Sequence, residues 1–121
     1  LRKTDPNVVS EIDTLLDTHT PSKIALILNN KGFRSGEGLL FHRKIVQKIQ
    51  RDYNLKSRYD RLREFGKLTC NEIAEKLDVH FSTVMKWRRH GLLVAHAVND
   101  KPEYLYDPPD DNKRWLTKAF R

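Results

Sequence analysis

The 121 residues carry 23 Lys and Arg against 16 Asp and Glu, a formal net charge of +7, with 38% hydrophobic content and one cysteine. That size allows one domain or two very small ones with thin cores, and the charge points to a polyanionic partner, nucleic acid or an acidic surface. A lone cysteine excludes an internal disulfide framework and fits a reducing cytosol, no apolar run approaches the roughly 18 residues of a membrane span, and no signal peptide is visible. The chain begins Leu1-Arg2-Lys3 without Met, as expected of a piece of a longer protein.

Asp5-Pro6 reads as an N-cap followed by proline at the first helical position. The helix it opens places Val9, Ile12, Leu15 and Leu16 on one stripe. Thr20-Pro21 repeats the start signal for a second helix that buries Ile24, Ala25, Ile27 and Leu28 and stops at Gly32. Residues 33–41 form a glycine-punctuated connector. A third helix from about His42 to Tyr53 turns Ile45, Val46, Ile49 and Tyr53 inward and Arg43, Lys44, Gln47, Lys48 and Arg51 outward. Residues 54–67 are a basic connector containing a short helix, with Tyr59, Leu62 and Phe65 on one side and Gly66 as its stop. Between Arg43 and Arg63 stand eight basic residues and two acids, so that stretch alone carries +6. A charge run is often a solvated helix face; here its place between two helical modules points to phosphate.

Thr69 to Arg89 is the most informative segment. Thr69 with Glu72 forms a capping box, and buried-type residues fall at Ile73, Ala74, Leu77, Val79, Val84 and Trp87. That spacing is a helix, a tight turn plugged by Val79, and a second helix that Val84 and Trp87 seat on the first; Ala74 is small where the two cross. The outward residues are Phe81, Ser82, Thr83, Lys86, Arg88 and Arg89. Together these are the marks of a helix-turn-helix, whose second helix enters the major groove of DNA. Gly91 closes that helix and Leu92 and Leu93 turn into the core. Two short alternating runs, Val94–Val98 and Glu103–Tyr106, flank Asn99–Pro102 as a β-hairpin wing. Thr20, Ile24, Ala25 and Leu28 match Thr69, Ile73, Ala74 and Leu77 at an offset of 49 residues. The expected architecture is therefore mainly α, with tandem helix-turn-helix units. The first, with an enlarged turn, spans 1–53; a connector spans 54–67; the second, with its small hairpin, spans 68–109; a tail or short helix spans 110–121.

On these residues the chain resembles the C-terminal, non-catalytic DNA-binding region of bacterial serine site-specific recombinases. The matching stretches are Ile12–Leu16, Ile24–Gly32, Tyr53–Arg63, Leu68-Thr69 with Glu72–Ala74, Lys86–Leu93, and Asn99–Lys101 with Tyr104–Tyr106, within residues 8 to 109. The resemblance implies DNA targeting, with the nucleophilic serine carried by a separate domain, and partners that are double-stranded DNA and other domains of a parent recombinase in the bacterial nucleoid. Three positions depart from the pattern. His42 and His80 stand where Ser or Thr commonly caps, which puts ordinary capping in doubt, and Asp78 stands where the turn often has Gly. Asp tolerates left-handed backbone better than most residues.

For base contact the candidates are Phe81, Ser82, Thr83, Lys86 and Arg89 in the second unit and Arg43, Lys44, Gln47 and Arg51 in the first. Lys or Arg can hold guanine, glutamine can read adenine, and a methyl or ring can touch thymine. For phosphate contact they are Lys48, Lys56, Arg58, Arg61, Arg63 and Arg88. Against these stand plainer readings: cations that only neutralise phosphate, Gln47 as an ordinary exposed glutamine, Trp87 as core, and Tyr59, Tyr104 and Tyr106 as core or rim. Cys70, His80, His90 and His96 lack paired zinc-site spacing, so no metal is expected. Cys70 near a helix start is either a thiol of lowered pKa or a half-buried bystander. No P-loop, dinucleotide fingerprint or paired-carboxylate motif is present, so neither cofactor nor enzymatic activity is expected. Two other readings stay open: a free-standing winged transcriptional regulator or excisionase-like protein, and a protein-interaction adaptor whose basic face meets an acidic partner.

Overall fold

Proline at the first position of a helix loses nothing, because the N–H it lacks has no intrahelical partner there. Pro6 and Pro21 use this at the starts of α1 (Pro6–Leu15) and α2 (Pro21–Asn30), and the Asp5 carboxylate accepts from the Asn7 N–H at 2.9 Å. The computed structural model describes residues 4–109; the expected tail or helix at 110–121 lies outside them. The remaining helices are α3 (Arg43–Asp52), α4 (Arg58–Glu64), α5 (Cys70–Leu77) and α6 (Phe81–Arg89), followed by β1 (Ala95–Ala97) and β2 (Tyr104–Tyr106). The described residues are thus mainly helical with one small two-stranded antiparallel sheet. None of these helices is long and apolar enough to cross a membrane.

Five of these helices stop in the same way. One residue just past the helix takes left-handed backbone, and the next N–H returns to a carbonyl five residues back. The returning bonds are Phe33 to Leu28 (3.0 Å), Leu55 to Gln50 (2.9 Å), Lys67 to Leu62 (3.0 Å), Val79 to Ala74 (3.0 Å) and Leu92 to Trp87 (2.9 Å). The left-handed residues are Gly32, Asn54, Gly66, Asp78 and Gly91. Asp78, at φ 55° and ψ 51°, bears a side chain in a conformation that favours glycine. Except at Lys67, the returning residue is apolar and packs against its own core.

The chain divides into two units, each with its own core, and the division falls inside α4. The first comprises residues 4–61 together with Val98–Glu103. Val8 and Ile12 of α1 with Leu16 just past its end, Ile24, Ala25 and Leu28 of α2, Phe41, and Val46 and Ile49 of α3 form its interior. Val8, not Val9, is the innermost valine: positions 8, 12 and 16 repeat every four residues and put three side chains in line under the helix. Tyr53, expected inward, is exposed, because the last turn of α3 runs past the core. The connector before α3 is a built turn. Ser35 Oγ accepts from the Leu39 N–H at 3.0 Å, and the Gly38 N–H reaches the Ser35 carbonyl at 2.8 Å. The Asn29 side-chain amide then grips Phe41 as a strand partner does, accepting from its N–H at 2.8 Å and donating to its carbonyl at 2.9 Å. Within 98–103, Asp100 accepts from the Ser22 hydroxyl at 2.5 Å and lies 3.5 Å from Arg43.

In α4 Leu62 is the one buried apolar residue. Tyr59 and Phe65, expected on its side of the helix, are 43% and 62% exposed. Three residues is 300° of rotation, so a helix of 7 residues with one contact line buries one of the three.

The second unit comprises residues 62–97 and 104–109. Ile73, Ala74 and Leu77 of α5 meet Val84 and Trp87 of α6, and Leu93 and Tyr106 complete the interior. The expected capping box is present: Thr69 Oγ1 accepts from the Glu72 N–H at 3.1 Å, and Glu72 accepts from the Thr69 N–H at 2.8 Å. The hairpin pairs Ala95 with Tyr106 and Ala97 with Tyr104. Beyond expectation, Leu68 bonds the other edge of Tyr106, at 2.8 and 2.7 Å, and so ties the segment before α5 to the sheet. Asp107 is 2.8 Å from both Lys67 and His96. Burial pushes its carboxyl up, but these two partners outweigh burial and hold it below its ordinary value.

Arg63 donates to both carboxylate oxygens of Glu72 and also to the Lys67 carbonyl at 3.0 Å. The guanidinium, with the Thr69 N–H, holds Glu72 at about 2, against an ordinary 4.5. A carboxyl depressed in the folded state stabilises it while ionised, so its contribution is complete well above pH 4.5 and fades as the pH falls toward 2. Thermal unfolding followed from neutral pH into that window should show a lower Tm for Glu72→Gln than for wild type at pH 7, and a smaller acid decline. Equal declines would remove Glu72 as a source of acid sensitivity. In the same assay at neutral pH, Asp78→Gly should raise stability by about 1 kcal/mol, since it relieves a left-handed Cβ.

Candidate nucleic-acid interface

Alpha-helices seated by a narrow apolar line leave most of their circumference free for other uses. In α6, Val84 and Trp87 are wholly buried, and Phe81, Ser82, Met85, Lys86 and Arg89 are exposed on the remaining surface, with Thr83 half-buried. Sequence reasoning placed all of these outward except Met85, which it left unassigned. The signal for it was available: Met85 lies one turn beyond Phe81 and off the Val84–Trp87 line.

His80 resolves one of the two capping doubts. Its Nδ1 accepts from the Ser82 N–H at 3.2 Å and lies 2.8 Å from the Ser82 hydroxyl, so an imidazole performs the work of a Ser or Thr cap. Its ring centre is 4.3 Å from that of Phe81. His42 makes no side-chain cap bond at the start of α3.

Arg88, expected on phosphate, is half-buried, and its guanidinium lies 4.1 Å above the ring of Tyr104. Its position on the rim between the buried line and the exposed face lets it fold back onto the hairpin. Next to it, burial pushes the Cys70 thiol up, with Tyr106 and Arg88 opposing; the direction is opposite to the lowering that a helix start allows. Cys70 Sγ is 3.6 Å from the Phe81 carbonyl. Among the described residues no three His, Cys, Asp or Glu side chains converge as a metal site.

In the first unit, α3 exposes Arg43, Lys44, Lys48 and Arg51, while Gln47 is half-buried. Lys48 pairs with Asp52 at 2.6 Å, four residues on. Lys56 is exposed.

Arg58 and Arg61 require a correction. Expected as phosphate contacts, they are buried and turned toward the C-terminal end of α1. Arg58 donates to the carbonyls of Asp17 (3.0 Å) and Leu16 (3.4 Å). Arg61 donates to the Asp13 carboxylate (2.7 Å), the Asp17 carboxylate (3.1 Å) and the carbonyls of Asp13 (2.5 Å) and Lys56 (2.7 Å). A helix C-terminus presents bare carbonyls and partial negative charge, and Asp13 and Asp17 add two full charges one turn apart. Burial opposes the Arg61 charge, but the two carboxylates outweigh it and raise its pKa; at Arg58 burial wins over Asp17 and lowers it. The pair of acids near the end of α1 was the sequence signal for these partners. Arg63 is likewise engaged, by Glu72. Of the six phosphate candidates, Lys48 and Lys56 are the two that stand exposed.

No family profile matches the chain, and no solved structure matches it. The uncharacterized protein y4bA/y4pH of Sinorhizobium fredii (strain NBRC 101917 / NGR234) is 44% identical to it over 109 residues, which take in 90% of this chain and 16% of that protein. The chain therefore spans about a sixth of the length of the curated relative it matches.

Proposed function

We propose that this chain binds double-stranded DNA and recognises a site on it, through two helix-turn-helix units that present α6 and α3 to the major groove. The observation that carries the reading is α6. It follows α5 after a turn made at Asp78, is sealed on one side by Val84 and Trp87, and offers exposed Phe81, Ser82, Lys86 and Arg89 on the other. An α-helix with its side chains is about 10–12 Å across, a fit to a groove about 12 Å wide. Lys86 and Arg89 supply donors for guanine or phosphate. Arg43, Lys44, Gln47 and Arg51 are the corresponding readers of α3, and Thr83 contributes through the part of its side chain that remains accessible. Lys48 and Lys56 neutralise phosphate. Arg58 and Arg61 belong to the scaffold, and Arg63 and Arg88 are engaged within the second unit.

The wider role, as the targeting part of a serine site-specific recombinase acting at the bacterial nucleoid, rests on the sequence resemblance alone. On that reading strand cleavage belongs to other domains, and this chain contributes address rather than chemistry. An adaptor for an acidic protein uses the same cations; the aromatic ring and hydroxyls that open α6 favour DNA, whose grooves reward them.

The test is selection of bound duplexes from a random pool at about 150 mM salt, where non-specific binding is weakened. Lys86→Ala should weaken the enriched sequence by about 1–3 kcal/mol and random DNA less, whereas Lys56→Ala should weaken both alike and reduce the salt slope by about 1. Identical behaviour of the two variants would abolish the division into readers and clamps, and no enrichment at all would overturn site recognition.

A further inference from the structure

The exposed side of α6 is not uniformly polar. Phe81 is 48% exposed and Met85 37%, four residues apart, so they form one apolar stripe along the first half of the helix. Phe81 is steadied by the His80 ring at 4.3 Å. The polar groups beside it are partly committed: the Ser82 hydroxyl is 2.8 Å from His80 Nδ1, and Thr83 is half-buried. Lys86 and Arg89 are exposed on the same helix, which contains no acidic residue. The stripe is thus an apolar surface in cationic surroundings.

Those two properties together match one chemistry. A phosphate-lined groove attracts the cations, and the apolar group its floor offers is the 5-methyl of thymine. Lys86 and Arg89 can hold phosphate or guanine whether or not a methyl is present, so charge alone leaves Phe81 and Met85 without a role.

We infer that Phe81 and Met85 read thymine methyl groups, so that the site preferred by α6 is selected for thymine through apolar contact. The inference rests on the DNA-binding reading of α6 and adds Met85 to its specificity residues. Uracil is the discriminating probe, because it presents the same hydrogen-bonding edge as thymine and lacks only the methyl.

The experiment takes a duplex enriched from the random pool and resynthesises it with deoxyuridine in place of thymidine. Both forms are titrated with the full chain by fluorescence anisotropy. Wild type should bind the thymine form tighter by about fourfold for each contacted methyl. In Met85→Gln, in Met85→Ala (both good helix formers) and in Phe81→Ser, the thymine-to-uracil ratio should fall toward one. Lys86→Ala should weaken both forms while keeping the ratio. Equal wild-type affinity for the two forms overturns the inference and leaves DNA binding standing. A ratio that persists in the double variant Phe81→Ser with Met85→Gln assigns the methyl to other residues and also overturns it. If no duplex is enriched or bound, the DNA reading falls and takes this one with it.

Discussion

Helices of 7 to 10 residues are marginal in water, because the cost of the first turn is spread over few hydrogen bonds. These helices therefore depend on how each is stopped. At five of their ends a left-handed residue reverses the chain within one step, satisfies the last carbonyls, and at four of them delivers an apolar residue to the core. After α2 and after α5 the next helix packs against the one just ended. At α5 this constraint is sharpest. Asp78 adopts the left-handed conformation, the Val79 N–H returns to Ala74, and His80 already caps α6. A slower turn would separate Ile73 and Leu77 from Val84 and Trp87 and leave α6 without a seat.

Positive charge has two uses in this chain, and only one faces outward. Arg58 and Arg61 hold the C-terminal end of α1, where carbonyls and the carboxylates of Asp13 and Asp17 need donors. Arg63 secures Glu72, and Arg88 covers Tyr104. Arginine suits such places because its fork of donors serves several acceptors at once. Lys44, Lys48, Lys56, Lys86 and the α3 arginines remain on the surface, where the attraction of a polyanion is felt. Net charge therefore overstates the exposed cationic surface.

The proposed reading surface owes its rigidity to side chains that never touch DNA in that proposal. Trp87 and Val84 fix the rotation of α6 about its axis, and His80 fixes its first turn. In the first unit the Asn29 clamp on Phe41 and the Ser35 turn play the equivalent part ahead of α3. Contacts that discriminate bases need this kind of support, because small displacements of a reader lose its hydrogen bonds.

Local rules carried the chain-order reading a long way. Proline at helix starts, the Thr69–Glu72 box, glycine stops at Gly32, Gly66 and Gly91, and the Val94–Tyr106 hairpin are each encoded within a few neighbouring residues, so they were legible. So was the burial of Val84 and Trp87, which follows from helical spacing. The sequence by itself thus determined a mainly helical chain with a small hairpin and one outward cationic face on α6. Which valine of α1 lies innermost, that Tyr59 and Phe65 stay exposed, that Leu68 pairs with Tyr106, and that Arg58 and Arg61 turn inward were decided by tertiary structure. Each depends on a partner tens of residues away, and spacing along one helix cannot tell an arginine facing water from one facing the open end of another helix.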